Sequence, residues 1–149
     1  MQIEKEIKQD KFKNEYHKLS VNILYTGSWL SIKNQEHLKP FSLTYQQYNI
    51  LRILRGQYPN PATVSLLIDR MLDKMSNASR LVEKLRQKKL VERRTCKKDR
   101  RAVDVIITEK GLHLLTEIET HDPEWEKVFT ALTVAEAKEL NNLLDKLRG

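Results

Sequence analysis

The stretch SNASRLVEKLRQKKLVERRTCKKDRRAVDVIIT, residues 76–108, decides the fold. Its first half places Ala78, Leu81, Val82 and Leu85 at i, i+3, i+4 and i+7, one apolar face on a helix of about three turns. Ser76, Arg80, Glu83 and Gln87 fall on the opposite face. The second half reads as two strands, LVERR and AVDVIIT, the latter turning Val103, Val105 and Ile107 inward by alternation. The tip that joins them, TCKKDRR, is basic, which makes the pair a β-hairpin or wing. Between Arg93 and Arg101, the cations Arg93, Arg94, Lys97, Lys98, Arg100 and Arg101 accompany a single carboxylate, Asp99. Such a tip repels itself unless a counter-charge meets it, and the negative potential of a narrow DNA minor groove is one that favours inserted arginine.

Working outward, Thr108 caps a helix carrying Leu112, Leu115 and Ile118, which Pro123 interrupts, with Asp122 placed to cap a resumed turn. The pattern T-x-x-E at Thr133 and Glu136 is a capping box opening a last helix with Ala137, Leu140, Leu144 and Leu147 in line. Upstream, Thr63 caps a short helix with Val64, Leu67, Ile68 and Met71 inward, and Thr44 caps TYQQYNILRIL, which ends near Gly56. From Ile3 to Gln35 there is no proline, and Phe12, Tyr16, Leu19, Ile23 and Leu30 recur at helical steps, predicting one long helix with an irregularity near Gly27. The whole is a mainly α chain with a small β-hairpin wing: a winged helix-turn-helix lobe over residues 43–108, flanked by helices at 1–36 and 109–149, in one domain of 149 residues. The flanking helices carry apolar stripes that a three-helix lobe cannot bury, and stripes of that length mark an interface between copies.

Charge singles out a partner. Residues 61–110 hold 14 Lys+Arg against 7 Asp+Glu, residues 1–60 hold 9 against 5, and residues 111–149 hold 4 against 8. A positive field concentrated mid-chain attracts a polyanion through counterion release, so double-stranded DNA is the expected partner. A membrane surface would call for a basic amphipathic helix, whereas the densest charge lies in a hairpin. No hydrophobic run approaches a transmembrane length, and the charged first residues lack a secretory signal, so a cytoplasmic location is expected. The single Cys96 excludes an internal disulfide framework. The second helix of a helix-turn-helix directs its N-terminal residues at base edges in the major groove. Ser76, Asn77 and Ser79 offer short hydrogen-bonding groups there, Arg80 a planar fork for guanine or phosphate, and Lys84 a phosphate contact; the plainer alternative makes Ser76 an N-cap and Arg80 a solvated surface charge. On the wing, Arg94, Lys97, Lys98, Arg100 and Arg101 are the candidate DNA contacts, and Asp99 pairs with a neighbouring arginine to brace the tip.

From about Leu43 to Leu115 the chain resembles the MarR family of winged helix-turn-helix transcriptional regulators. LTYQQYNILRIL is similar to that family's second helix, and SRLVEKLRQKKLVERR to its recognition helix entering the first wing strand. DRRAVDVIITEKGLHLL matches its wing signature, with Asp99, Arg100, Arg101, Val105, Thr108, Gly111 and Leu115 at the expected spacings. The resemblance implies a homodimer formed by the terminal helices, a palindromic operator with half-sites ~10 base pairs apart, and arginine from Arg101 or Arg100 in the minor groove. It also implies repression relieved by a small aromatic or phenolic effector in a crevice that Tyr25, Trp29, Tyr45 and Tyr48 could line, although aromatic residues at helical spacing are more often ordinary core. The chain departs from the family at Lys89, where a glycine usually ends the recognition helix. Either the lysine takes a left-handed conformation at ~1 kcal/mol or the helix ends differently.

Other classes fit less well. The four histidines are scattered, and no phosphate-binding glycine loop, nucleophile elbow or paired Cys/His spacing appears, so the chain does not read as an enzyme and no cofactor is expected. Glu117 and His121 are four apart with Asp122 nearby, a spacing seen more often in surface pairs than in metal sites, and no metal is assigned. Cys96 beside Arg94, Lys97 and Lys98 has the surroundings of a reactive thiol, yet a wing cysteine is more often incidental. The alternative is a winged domain used as an architectural or protein-interaction module without sequence-specific DNA binding.

Overall fold

The computed structural model describes residues 1–95, 98 and 101–149. In chain order the elements are α1 (Ile3–Ile7), α2 (Glu15–Leu38), a 3-10 turn (Lys39–Phe41), α3 (Tyr45–Gln57), β1 (Ala62–Thr63), α4 (Val64–Arg70), α5 (Ala78–Gln87), β2 (Val91–Thr95) and β3 (Val103–Ile107). Then follow α6 (Glu109–Glu119), α7 (Asp122–Glu126), a 3-10 turn (Lys127–Phe129) and α8 (Val134–Arg148). Side-chain caps set most helix starts: Asn14, Thr44, Thr63, Asn77, Thr108 and Thr133 each accept a backbone N–H from three residues on. Thr44 with Gln47 and Thr133 with Glu136 complete capping boxes. No helix among the described residues is long and apolar enough to cross a membrane.

The core centres on the lobe and extends into α6, whose stripe, expected to need a partner, is buried within the chain at Leu115 and Ile118. Ile50, Leu51 and Leu54 of α3 pack with Leu67 of α4, Val82 and Leu85 of α5, Val91 and Val105 of the strands, and Leu115 and Ile118 of α6, all excluded from solvent. The three strands form an antiparallel sheet in the order β1-β3-β2, with Ala62 opposite Val105 and Val91 opposite Ile107. The inward alternation expected of β3 is present: Val105 and Ile107 are buried and Val103 half-buried. Strand β1 is two residues long, too short for a periodic signal, and the sequence reading missed it.

Several expectations need correction. The first helix is not continuous from Ile3: Lys8 closes α1 in a left-handed conformation, and Asn14 spends its side chain on capping α2 by accepting the His17 N–H at 2.9 Å. Beyond that break α2 runs through Gly27 without interruption, to Leu38. Ile68 is 47% exposed, because on so short a helix the buried stripe is Leu67 and Met71, and Ile68 is turned by ~100° from Leu67. Asp122 is the first residue of α7 instead of its cap. The His121 carbonyl already accepts from the N–H groups of Glu124 and Trp125, so the helix starts one residue earlier. Lys89 settles the open alternative at the end of α5. It adopts φ 61° and donates its N–H to the Arg86 carbonyl at 2.9 Å, while Leu90 donates to Leu85 at 3.0 Å. That is a Schellman closure with lysine in the glycine position.

Candidate nucleic-acid interface

The α4–α5 pair and the β2–β3 hairpin converge because α5 is anchored at both ends. At its start, the Asp73 carboxylate accepts from the Met75 N–H at 3.0 Å, from Gln46 Nε2 at 3.4 Å and from the Ser76 hydroxyl, which fixes the turn between the two helices. The Met75 N–H above all, then Ser76 and Gln46, holds the Asp73 carboxyl below the usual range. At the other end, the Lys88 ammonium donates to the Ser42 carbonyl and, at 3.3 Å, to Oε1 of the buried Gln47, tying α5 to the start of α3. The Lys110 ammonium donates to the Lys88 carbonyl at 3.0 Å, and the Thr108 hydroxyl to the Lys89 carbonyl at 2.8 Å. The recognition helix and the wing therefore leave the lobe from one braced corner.

On α5 the predicted residues divide. Ser79, Arg80 and Lys84 are exposed along the outer face. Asn77 is the cap, its Oδ1 accepting the Arg80 N–H at 3.0 Å, and only the remainder of its amide is available to a partner. Ser76 is half-buried and committed to Asp73. On the wing, Lys98 and Arg101 are exposed. Arg94 is ion-paired to Glu92 at 2.9 Å and stands opposite Asp104 in register. Lys97, Asp99 and Arg100, together with Cys96, lie outside the described residues.

Residues that the sequence reading did not place in the site also shape it. Glu83 of α5 bonds Arg86 in bidentate fashion at 3.0 and 2.7 Å and reaches across to Arg93 of β2 at 3.0 Å. Arg86 chiefly, with Arg93 adding to it, pulls the Glu83 carboxyl below its ordinary range. The i, i+3 spacing of Glu83 and Arg86 was visible in the sequence; the reach to Arg93 needs the fold.

The aromatic residues expected to line one crevice are split. Tyr25 and Trp29 face a cavity of about 300 Å³ between α1 and α2, where the Tyr25 hydroxyl donates to Glu6 at 2.6 Å. Tyr45 and Tyr48 pack against the lobe core, with the Tyr48 hydroxyl accepting from Arg52 at 2.9 Å. The His121 ring lies 5.3 Å from Phe41, and its Nδ1 meets the Glu117 carbonyl oxygen and the Thr120 hydroxyl, not the Glu117 carboxylate. Among the described residues no three His, Cys, Asp or Glu side chains are grouped to hold a metal.

A helix-turn-helix followed by a hairpin from the same corner defines the winged-helix class of DNA-binding domain. A family model described as "MarR family" matches residues 41–102. The chain is 26% identical over 132 residues to the HTH-type transcriptional regulator MhqR of Bacillus subtilis (strain 168), covering 87% of this chain and 90% of that protein. Among solved structures it is similar to the organohalide-sensing regulator RdhR-CbdbA1625 in its 2,4-dichlorophenol-bound form, with TM-score 0.81, 21% identity, and 94% and 85% of the two chains covered. It is likewise similar to a cysteine-to-serine mutant of MarR from E. coli complexed with operator DNA, with TM-score 0.78, 23% identity, and 93% and 99% covered. Residues 41–102 thus match the MarR family model, and the chain as a whole shares the winged-helix fold of these two solved regulators.

Proposed function

We propose that this chain is a sequence-specific double-stranded DNA-binding regulator, acting as a homodimer that represses transcription until a small aromatic effector weakens its hold on DNA. The observation that carries the reading is the exposed row Ser79, Arg80 and Lys84 on α5, set beside a basic hairpin by anchored turns at both ends of the helix. Residues 43–108 form the DNA-reading lobe, and the helices of 1–36 and 109–149 join two copies. Arg80 reads bases or phosphate, Lys84 and Lys98 contact phosphates, and the wing arginines Arg94, Arg100 and Arg101, with Lys97, follow the adjacent groove, while Asp99 braces the tip. Engagement of DNA by Arg94 exchanges its Glu92 partner for a phosphate. The effector reading draws on the 2,4-dichlorophenol-bound relative. An effector seated between the terminal helices and the lobe would act by favouring a different spacing of the two recognition helices.

The test is selection of genomic fragments on purified protein, then titration of the best fragment and a scrambled control at two salt concentrations. One palindromic site, preferred over the control by ~10³-fold or more and weakened at particular base pairs by Arg80→Ala, is the expected result. Equal affinity for the control would replace this reading with the architectural one.

A further inference from the structure

Glu83 places a carboxylate on the outer face of a helix meant for a polyanion, one turn beyond Ser79 and Arg80. Left alone, it would repel phosphate. It is not alone: one oxygen takes the Arg86 Nη2 at 2.7 Å, and the other takes both the Arg86 Nε and the Arg93 Nη1 at 3.0 Å. The side chains of all three residues are between one-third and one-half exposed, where ion pairs contribute little to folding stability. The consequences of this bridge therefore belong to the interface. It spans the joint between recognition helix and wing, whose backbone crossing is the left-handed Lys89. It also engages both guanidinium groups with one carboxylate.

We propose that Glu83 is a specificity-determining positioning residue: by clamping Arg86 of the recognition helix and Arg93 of the wing, it fixes the helix–wing angle and withholds two positive charges from non-specific phosphate binding. Discrimination between sites depends on what weakens the wrong complex as much as on what strengthens the right one. A bare pair of arginines beside the recognition helix would raise affinity for every duplex alike, since phosphate contacts carry no sequence information. Neutralised by Glu83, they add affinity only where the wing already lies in its groove.

The inference rests on the sequence-specific reading above, and the experiment separates the two. Full-length wild type, Glu83→Gln and Glu83→Asp are titrated by fluorescence anisotropy against the selected operator and a scrambled duplex between 50 and 200 mM salt, the range over which phosphate contacts dominate affinity. Thermal unfolding is measured alongside. For Glu83→Gln we expect scrambled-duplex affinity to rise about tenfold, the slope of log K against log salt to steepen by ~1.8 for two released arginines, and the operator-to-scrambled ratio to fall by about tenfold. Glu83→Asp keeps the charge and loses the reach: scrambled affinity stays within about threefold of wild type while operator affinity drops, and the unfolding midpoints of both variants stay close to wild type. A wild type with no operator preference would sink the regulator reading itself. A wild type with that preference, and a Glu83→Gln variant whose ratio and slope are unchanged, would overturn the role given to Glu83. Loss of preference at a single base pair would also overturn it, making Glu83 a direct base reader, and so would a large fall in unfolding midpoint with both affinities lost.

Discussion

Gly111 shows how one residue can hold the wing to its lobe. A Cβ built there would stand 2.5 Å from the Leu90 carbonyl oxygen and 2.6 Å from Ile107 Cγ1. The first is backbone and already accepts the Thr108 N–H at 3.0 Å, so it cannot retreat without loosening the junction of β2, β3 and α6. Alanine would gain about 1 kcal/mol of helix propensity and lose more than that to overpacking. Gly111→Ala should therefore lower stability by about 1–2 kcal/mol, a fall of several degrees in the thermal midpoint, read by differential scanning calorimetry. An unchanged or raised midpoint would mean that the junction yields freely. Lys89 is the opposite case: a left-handed position filled by a residue that strains there, tolerated because Leu90 and Leu85 are buried together beneath the closure.

Among the elements, the turn between α4 and α5 is one that acid should loosen. The Asp73 carboxyl is held below its ordinary range by the Met75 N–H, Ser76 and Gln46. A carboxyl with a depressed folded pKa adds stability above its unfolded value, near 3.9, and that contribution is lost as pH falls through the lower folded value. Glu119 and Glu136 are depressed in the same sense by Arg55 and Thr133 respectively, so the chain as a whole should lose thermal stability between pH 5 and pH 3. Asp73→Asn should start lower at pH 7 and lose less over that interval; parallel curves for the two proteins would show that the turn does not depend on the charge. Elements of this kind were only partly readable in the sequence. Caps and capping boxes are local, three residues apart, and Thr44, Thr63, Thr108 and Thr133 were all legible as helix starts. The break at Lys8–Asn14 was not, because the competition between a capping asparagine and a continuing helix leaves the apolar spacing intact. Nor was the two-residue β1, which exists only through its pairing with β3, or the bridge from Glu83 to Arg93, which joins residues that periodicity assigns to different elements. In the candidate site, the exposed row on α5 was legible. That Asn77 and not Ser76 would be the cap was not, because the cap is fixed by where the helix begins.

For the whole molecule, burial is uneven: the core lies in the lobe and α6, while α8 and much of α2 keep apolar side chains open. No residue of α8 is buried, and Leu140, Leu143 and Leu147 are 46, 55 and 58% exposed along one face; on α2, Tyr16, Leu24 and Ile32 are similarly open. Helix α8, with no residue in the core, keeps its length in water by burying such a face elsewhere, and in the proposed homodimer a second copy of the chain covers it. The protein should sediment at twice the 17.6 kDa mass of the chain. Glutamate at both Leu143 and Leu147 removes ~1.5–3 kcal/mol of burial per leucine and adds like charges across a two-fold axis, so dimer affinity should fall by at least about 100-fold. The lobe, whose core contains nothing from α8, should keep its cooperative unfolding. Operator binding should drop far more than half, because a lone lobe loses the effective concentration that the second half-site supplies. Analytical ultracentrifugation and anisotropy on the same samples decide the matter. A double variant that still sediments as a dimer would move the interface off α8 and onto the open face of α2, whereas a monomer that still binds the full operator as tightly as wild type would show that DNA recognition in this chain does not need two copies.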